Sequence, residues 1–302
     1  MHELTELAER DERVVLLTAD TGAEVLDEYA QAHPRRFVNV GVAEANMLNM
    51  AAGMALRGWV PYCYSAATFA SMRGYEQARN GAALHRLPVR IVGVGSGFAH
   101  GDAGPTHYAV EDVAVMRAIA GMAVVAPCDD SRVVQVLAAA HGHTGPVYLR
   151  LGQERTTLSA LTTRFHWGAV DVLGDGDLAL VTYGAMTAAA VEAWTLLEAS
   201  GIASRVVVIS TLAPVDKDQL VAALAPCRLA ITVEDHRVTG GVGTIVAETI
   251  AERGINCRLR RLGLPDAFPA QVGSERFMHQ LVGIDAASIV ATAESLSVPL
   301  AS

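Results

Sequence analysis

Aromatic residues make up only 5% of the 302 residues, and there are just four cysteines, Cys63, Cys128, Cys227 and Cys257. No two cysteines stand in a CxxC spacing. The chain therefore carries no zinc-ribbon or redox-pair signature, and reduced thiols in a cytoplasmic protein are the expectation. No apolar run approaches the ~20 residues that cross a bilayer. The opening MHELTELAERDERVV is too charged for a signal peptide. The net charge is −9, with no basic run interleaved with aromatics, which points away from nucleic acid. A P-loop, a GxGxxG opening a helix and a GxSxG nucleophile turn are all missing.

What is abundant is small and aliphatic. The chain is 51% hydrophobic with a mean hydropathy of +0.30. Ala, Val, Leu and Gly supply most of this, as in α/β layers with buried parallel strands, or in a subunit that hides surface in an oligomer. Strand-like runs RVVLLTAD (13–20), FVNVG (37–41), GWVPYCYS (58–65), PVRIVGVG (88–95), MAVVAP (122–127) and GPVYLRL (145–151) alternate with helical stretches such as ASMRGYEQARNGAAL and DSRVVQVLAAAHGH. The alternation predicts a mainly parallel, doubly wound sheet. A polar stretch interrupts it near 152–177. A second series follows: strands 178–184, 204–210, 229–235 and 256–264, with helices 185–200, near 216–225 and 241–253. The expected organisation is two α/β domains, residues 1–155 and 176–302, joined by a linker at 156–175.

Three local signals have plain structural readings. Gly-Asp-Gly at 174–176 has no Asn at the spacing that a diphosphate–Mg²⁺ site requires, so it reads as a turn entering a strand. His141 and His143 flank a glycine after a helix and read as a solvated loop. His100, His107, His141 and His143 lack the convergent spacing of a zinc site, and no metal ligands are assigned to this chain. GDAGPTHYAVED (101–112) is more specific. It follows a predicted strand and places His107 at the carboxyl end of a parallel sheet, where such sheets bind ligands.

Several segments together resemble the transketolase family: TADTG (18–22), RFVNVGVAEANMLNMAAGMALRGWVPYCYSAATFASMRGYEQ (36–77), GDAGPTHYAVEDVAVMR (101–117), PCDDSRVV (127–134), ITVEDHRVTGGVGTIVAE (231–248) and RLGLPDAF (261–268). Their order matches the family's pyrimidine-binding domain followed by its carboxyl-terminal domain. GPTH favours the transketolase branch over the related 2-oxoacid dehydrogenase β-subunits. The resemblance implies thiamine diphosphate with Mg²⁺. The family's Gly-Asp-Gly…Asn domain is not in this sequence, so a separate diphosphate-binding subunit is expected to bring the metal ligands, in an α2β2 heterotetramer.

The resemblance also assigns roles. Glu44, in the GxAExN motif, is the carboxylate that bonds the pyrimidine N1′. It favours the imino tautomer, whose 4′-nitrogen takes the thiazolium C2 proton. Phe69 stacks on the pyrimidine, and Arg73 resembles a pocket residue of deoxyxylulose-phosphate synthases, with an ion pair as its plain alternative. Asp20 and Thr21 stand beside the thiazolium. His107 and Asp102 face the substrate, and Arg150 matches a phosphate-binding position. The small residues Ala43, Ala45, Ala51, Ala52 and Gly53 would let the helix pack closely on a partner. The family often has Asp where Ala103 stands, a phosphate-binding His where Gly95 stands and a Ser where Glu24 stands. These departures suggest an atypical, unphosphorylated or carrier-borne substrate. The expected reaction is transfer of a two-carbon ketol unit from a small ketose-type donor to an aldehyde. The alternatives are a 2-oxoacid decarboxylase β-subunit and a non-catalytic scaffold of the same fold.

Overall fold

A computed structural model describes residues 1–152, 158, 161 and 163–297. Parts of the expected linker and of both domain edges, residues 153–157, 159, 160, 162 and 298–302, lie outside the described residues. The strands are β1 Val14–Thr18, β2 Phe37–Asn39, β3 Val60–Ala66, β4 Arg90–Val94, β5 Ala123–Val125, β6 Val147–Leu151, β7 Val170–Gly174, β8 Leu178–Thr182, β9 Ser204–Ile209, β10 Thr211–Ala213, β11 Leu229–Arg237 and β12 Arg258–Leu264. The helices are α1 His2–Arg10, α2 Asp27–Ala32, α3 Glu44–Leu56, α4 Ala67–Met72, α5 Tyr75–Gln77, α6 Asp112–Arg117, α7 Asp130–His141, α8 Met186–Ala199, α9 Lys217–Leu224, α10 Val242–Arg253, α11 Glu275–Val282 and α12 Ala286–Ser297.

Two sheets form, in the orders β10-β5-β6-β4-β3-β1-β2 and β12-β11-β8-β9-β7. Every pairing is parallel except β10 on β5 and β7 on β9. This is the doubly wound pair of α/β domains that the sequence pattern predicts. The central strands are apolar and buried on both faces, as helices on both sides require: all five residues of β1 and of β8 are buried.

The two sheets are not independent. The chain leaves β9 in the second sheet and, after one residue, adds β10 to the edge of the first, pairing Thr211 with Val125. Three residues ending before Pro214 have too little periodicity to announce a strand. One apolar cluster then runs through both domains, including Val15, Leu48 and Ile91 with Val181, Val207 and Val242. Strand β7 falls inside the stretch read as a connection. It is an edge strand with mixed burial, so its sequence lacks a clean alternation.

Gly174 ends β7, and Asp175 and Gly176 form the short connection into β8, a strand entry as expected. Arg205 donates to the carbonyl oxygens of Asp175 and Gly176, both at 2.6 Å. A Cβ at Gly176 would stand 2.0 Å from the Ser204 nitrogen. The His141–His143 turn is not the solvated loop expected. The fully buried Arg90 donates to the carbonyls of His141, His143 and Gly145, and His141 Nε2 lies 3.0 Å from Asp11 Oδ2. Burial without a carboxylate partner pushes the Arg90 guanidinium down to about 10.

Candidate active site

The carboxyl ends of β1, β2, β3 and β4 supply one cluster of loops, at the edge where parallel sheets expose ligands. Behind β1, Asp20 takes a left-handed conformation (φ 57°), and Asn39 from β2 donates to its carboxylate at 2.9 Å. Thr21 is held by Thr18, whose hydroxyl donates to the Thr21 carbonyl at 2.6 Å. These contacts tie the ends of β1 and β2 together, just ahead of α3.

Glu44 opens α3 and is only 3% exposed. The helix N-terminus favours a negative charge there. Ser65, at the end of β3, donates its hydroxyl hydrogen to Glu44 Oε1 at 3.5 Å. The stronger partner is Arg73, whose Nη1 lies 3.0 Å from Oε1 and 3.3 Å from Oε2. The same guanidinium lies over Phe69, with Cζ 3.6 Å from the ring centroid. Phe69 in turn meets the His107 imidazole edge-on, at 5.2 Å between centroids and 67° between planes. Glu44, Arg73, Phe69 and His107 thus form one continuous chain of contacts.

Local sequence explains this placement. The segment 70–84, predicted as one helix, is interrupted after α4. Gly74 sits at the break because a Cβ there would approach Leu48 Cδ1 to 2.4 Å. The interruption turns Arg73 toward Glu44. His107 lies in a 3-10 turn, Pro105–His107, launched by Gly104 at φ 83°. The Thr106 hydroxyl lies 3.0 Å from His107 Nδ1. Asp102 is exposed in the preceding turn of the same loop.

One residue of this loop was weighed in the sequence only as a metal ligand. His100 packs against Gly95, where a Cβ would stand 2.3 Å from its Nε2. Burial and then the neighbouring His107 lower its pKa from the ordinary value. The sequence signal was the glycine itself, which leaves room for an imidazole from five residues on.

Arg150 is where the sequence expectation fails. It does not face the substrate edge. It is fully buried at the junction of the two domains, with Nε 2.9 Å from Asp112 Oδ2 and Nη1 3.0 Å from Asp235 Oδ1. Its Nη2 donates to the carbonyls of Ala109 and Asp235. Tyr148 also donates to Asp112, at 2.7 Å. These partners engage all three guanidinium nitrogens, so phosphate binding would require breaking the domain junction. The motif match names Arg150, but which way an arginine on a central strand points depends on charges brought from β11.

One further expectation changes. Ala51 and Ala52 are buried in the chain's own core, whereas the exposed face of α3 carries Asn46, Asn49, Gly53 and Leu56. Among the described residues, one group of metal-type donors converges, Asp235, Glu275 and His279, within 4.8 Å of one another. Asp235 already neutralises Arg150, and His279 Nε2 lies 3.9 Å from Glu275.

Residues 1–157 match the transketolase pyrimidine-binding domain and residues 168–289 the transketolase C-terminal domain. The chain belongs to the transketolase family. It is 36% identical to a putative transketolase C-terminal section of Methanocaldococcus jannaschii, over 95% of this chain and 91% of that one. It is 35% identical to an apulose-4-phosphate transketolase subunit of Actinobacillus succinogenes, over 94% of this chain and 92% of the relative. A solved structure described as a split-gene transketolase, inactive beta4 tetramer, superposes with a TM-score of 0.87 at 34% identity, covering 97% of this chain and 95% of that one. This chain is accordingly a transketolase-type subunit. No helix among the described residues is long and apolar enough to cross a membrane.

Proposed function

We propose that this chain is the pyrimidine-binding subunit of a two-component, thiamine diphosphate-dependent transketolase. It would transfer a two-carbon ketol unit from a small ketose-type donor to an aldehyde. The observation that carries the proposal is the pairing of a buried carboxylate with an aromatic face. Glu44 now receives an N–H from a planar cation lying on Phe69. A protonated aminopyrimidine offers the same two features, a ring N–H donor and a flat π-face, so the donor set fits the cofactor's ring.

When bound, the cofactor supplies a carbon nucleophile and an electron sink for cleaving the bond beside a carbonyl. The chain's own residues do the rest. Glu44, shielded from water, would hold the shared proton at the pyrimidine N1′. Phe69 would fix the ring plane, and Asp20 and Thr21 would border it at the end of β1. His107 would hydrogen-bond the donor's oxygen, with His100 behind it and Asp102 at the mouth of the loop. The diphosphate and Mg²⁺ would belong to a separate subunit, in an α2β2 assembly. Relatives described as a transketolase subunit or a C-terminal section, matched over nine-tenths of their length, support that division. The four free, buried cysteines suit the cytoplasm.

Glu44→Gln tests the proposal in the complex with the diphosphate-binding subunit. It should lower turnover by at least ~100-fold, as expected for a misplaced general acid–base group. Intact turnover would overturn the assignment. A donor screen of the same complex should show no CO₂ release; release from a 2-oxoacid would favour a decarboxylase.

A further inference from the structure

The contacts that single out Glu44 and Phe69 are already in use within the chain, and by one residue. Arg73 Nη1 bridges both oxygens of Glu44, and its guanidinium covers a face of Phe69 at 3.6 Å. Because the one guanidinium touches both groups, the face of Phe69 under Arg73 is the face on the Glu44 side. A planar ligand that hydrogen-bonds Glu44 while stacking on Phe69 must take the place of the guanidinium, because two planes cannot share one van der Waals gap.

Resting on the cofactor reading above, we propose that Arg73 is an internal competitor for the pyrimidine seat. Its guanidinium imitates the ring, keeps the buried Glu44 carboxylate neutralised, and swings out when the pyrimidine enters. Three features of the chain equip it for this. The Arg73 side chain is 46% exposed, against 3% for Glu44, so it has water to move into. It stands where α4 ends and next to Gly74, so its release requires no strand or long helix to move. The bond it gives up is a charge pair with one exposed member, which holds weakly enough to be exchanged. The pair also has a use. A carboxylate buried at 3% exposure without a partner is costly, and Arg73 spares the chain that cost until a ligand supplies its own N–H.

The role assigned to Arg73 is therefore the reverse of a simple binding contact. Removing it leaves Glu44 buried without a counter-charge, which weakens only the unliganded state and so tightens ligand binding. The test uses the full chain and thiamine as the probe, titrated calorimetrically, with arginine side-chain ¹⁵N resonances followed in parallel. Arg73→Met should bind thiamine roughly 5- to 20-fold tighter than the wild type, the sum of a lost exposed ion pair and a lost cation–π contact. Arg73→Lys, which keeps the charge without the plane, should fall between. In the wild type, thiamine should move the Arg73 resonance toward that of a free, solvated guanidinium.

Equal or weaker binding by Arg73→Met would overturn the proposal while leaving the pyrimidine seat in place, provided that Glu44→Gln and Phe69→Ala still abolish binding. Binding that ignores Glu44 and Phe69 would overturn the seat as well. So would a failure of every variant to bind thiamine at millimolar concentration.

Discussion

Replacing Arg150 with methionine removes one cation from between two carboxylates that water does not reach. Arg150, Asp112 and Asp235 all have fully buried side chains. The substitution leaves both carboxylates buried without a counter-charge and two carbonyl oxygens, of Ala109 and Asp235, without their donor. Breaking a buried charge pair by deleting one partner costs about 3–5 kcal/mol, most of it the desolvation of the charge left behind. For a chain of this size that lowers the melting temperature by about 5–8 °C. Neutralising both partners in Arg150→Met/Asp112→Asn/Asp235→Asn should recover much of the loss, since neutral groups need no counter-charge. Thermal unfolding of the wild type and the two variants measures both the loss and its recovery. If Arg150→Met melted within ~2 °C of the wild type and instead raised the KM for a phosphorylated donor, the buried-junction account would be wrong and the phosphate-binding role would stand.

Glu234 is buried against the N-terminus of α10, with backbone N–H groups of Val242 and Gly243 donating to its two oxygens at 2.8 and 3.0 Å. Burial outweighs those bonds and raises its pKa to about 7 from 4.5. The folded state therefore holds a proton that the unfolded chain loses, and about 3 kcal/mol of stability present below pH 4.5 is lost as pH rises to 7. The stability difference between wild type and Glu234→Gln should slope across that window, and a flat difference would refute the assignment. Gly97 adopts φ 59°, and an added Cβ would lie 1.9 Å from Asp235 Oδ2. Gly97→Ala should therefore lower stability by about 2 kcal/mol in urea titration, through strain and displacement of Asp235 from Arg150.

The composition and the alternating runs determined the class of this protein. Buried strands need continuous apolar runs, and β1, β4, β6, β8, β9 and β11 are legible because parallel sheets cover both faces. The site was legible in part. GxAExN points to Glu44, which a short loop sets just after β2, and Gly-Pro-Thr-His points to His107, which a glycine-launched turn places within the long loop after β4. Pairings that cross long sequence separations were decided by the tertiary structure alone. β10 joins the first sheet because an edge strand beside β5 was open to it, not because Thr211–Ala213 has a pattern. His100 comes beside His107 because Gly95 leaves a hole. Arg150 points into the domain junction because Asp235 arrives there from β11, 85 residues later in the chain. Arg73 reaches Glu44 because a helix breaks at Gly74. A motif names the residue, but its partners, and so its charge state and its work, are set by what folding brings beside it.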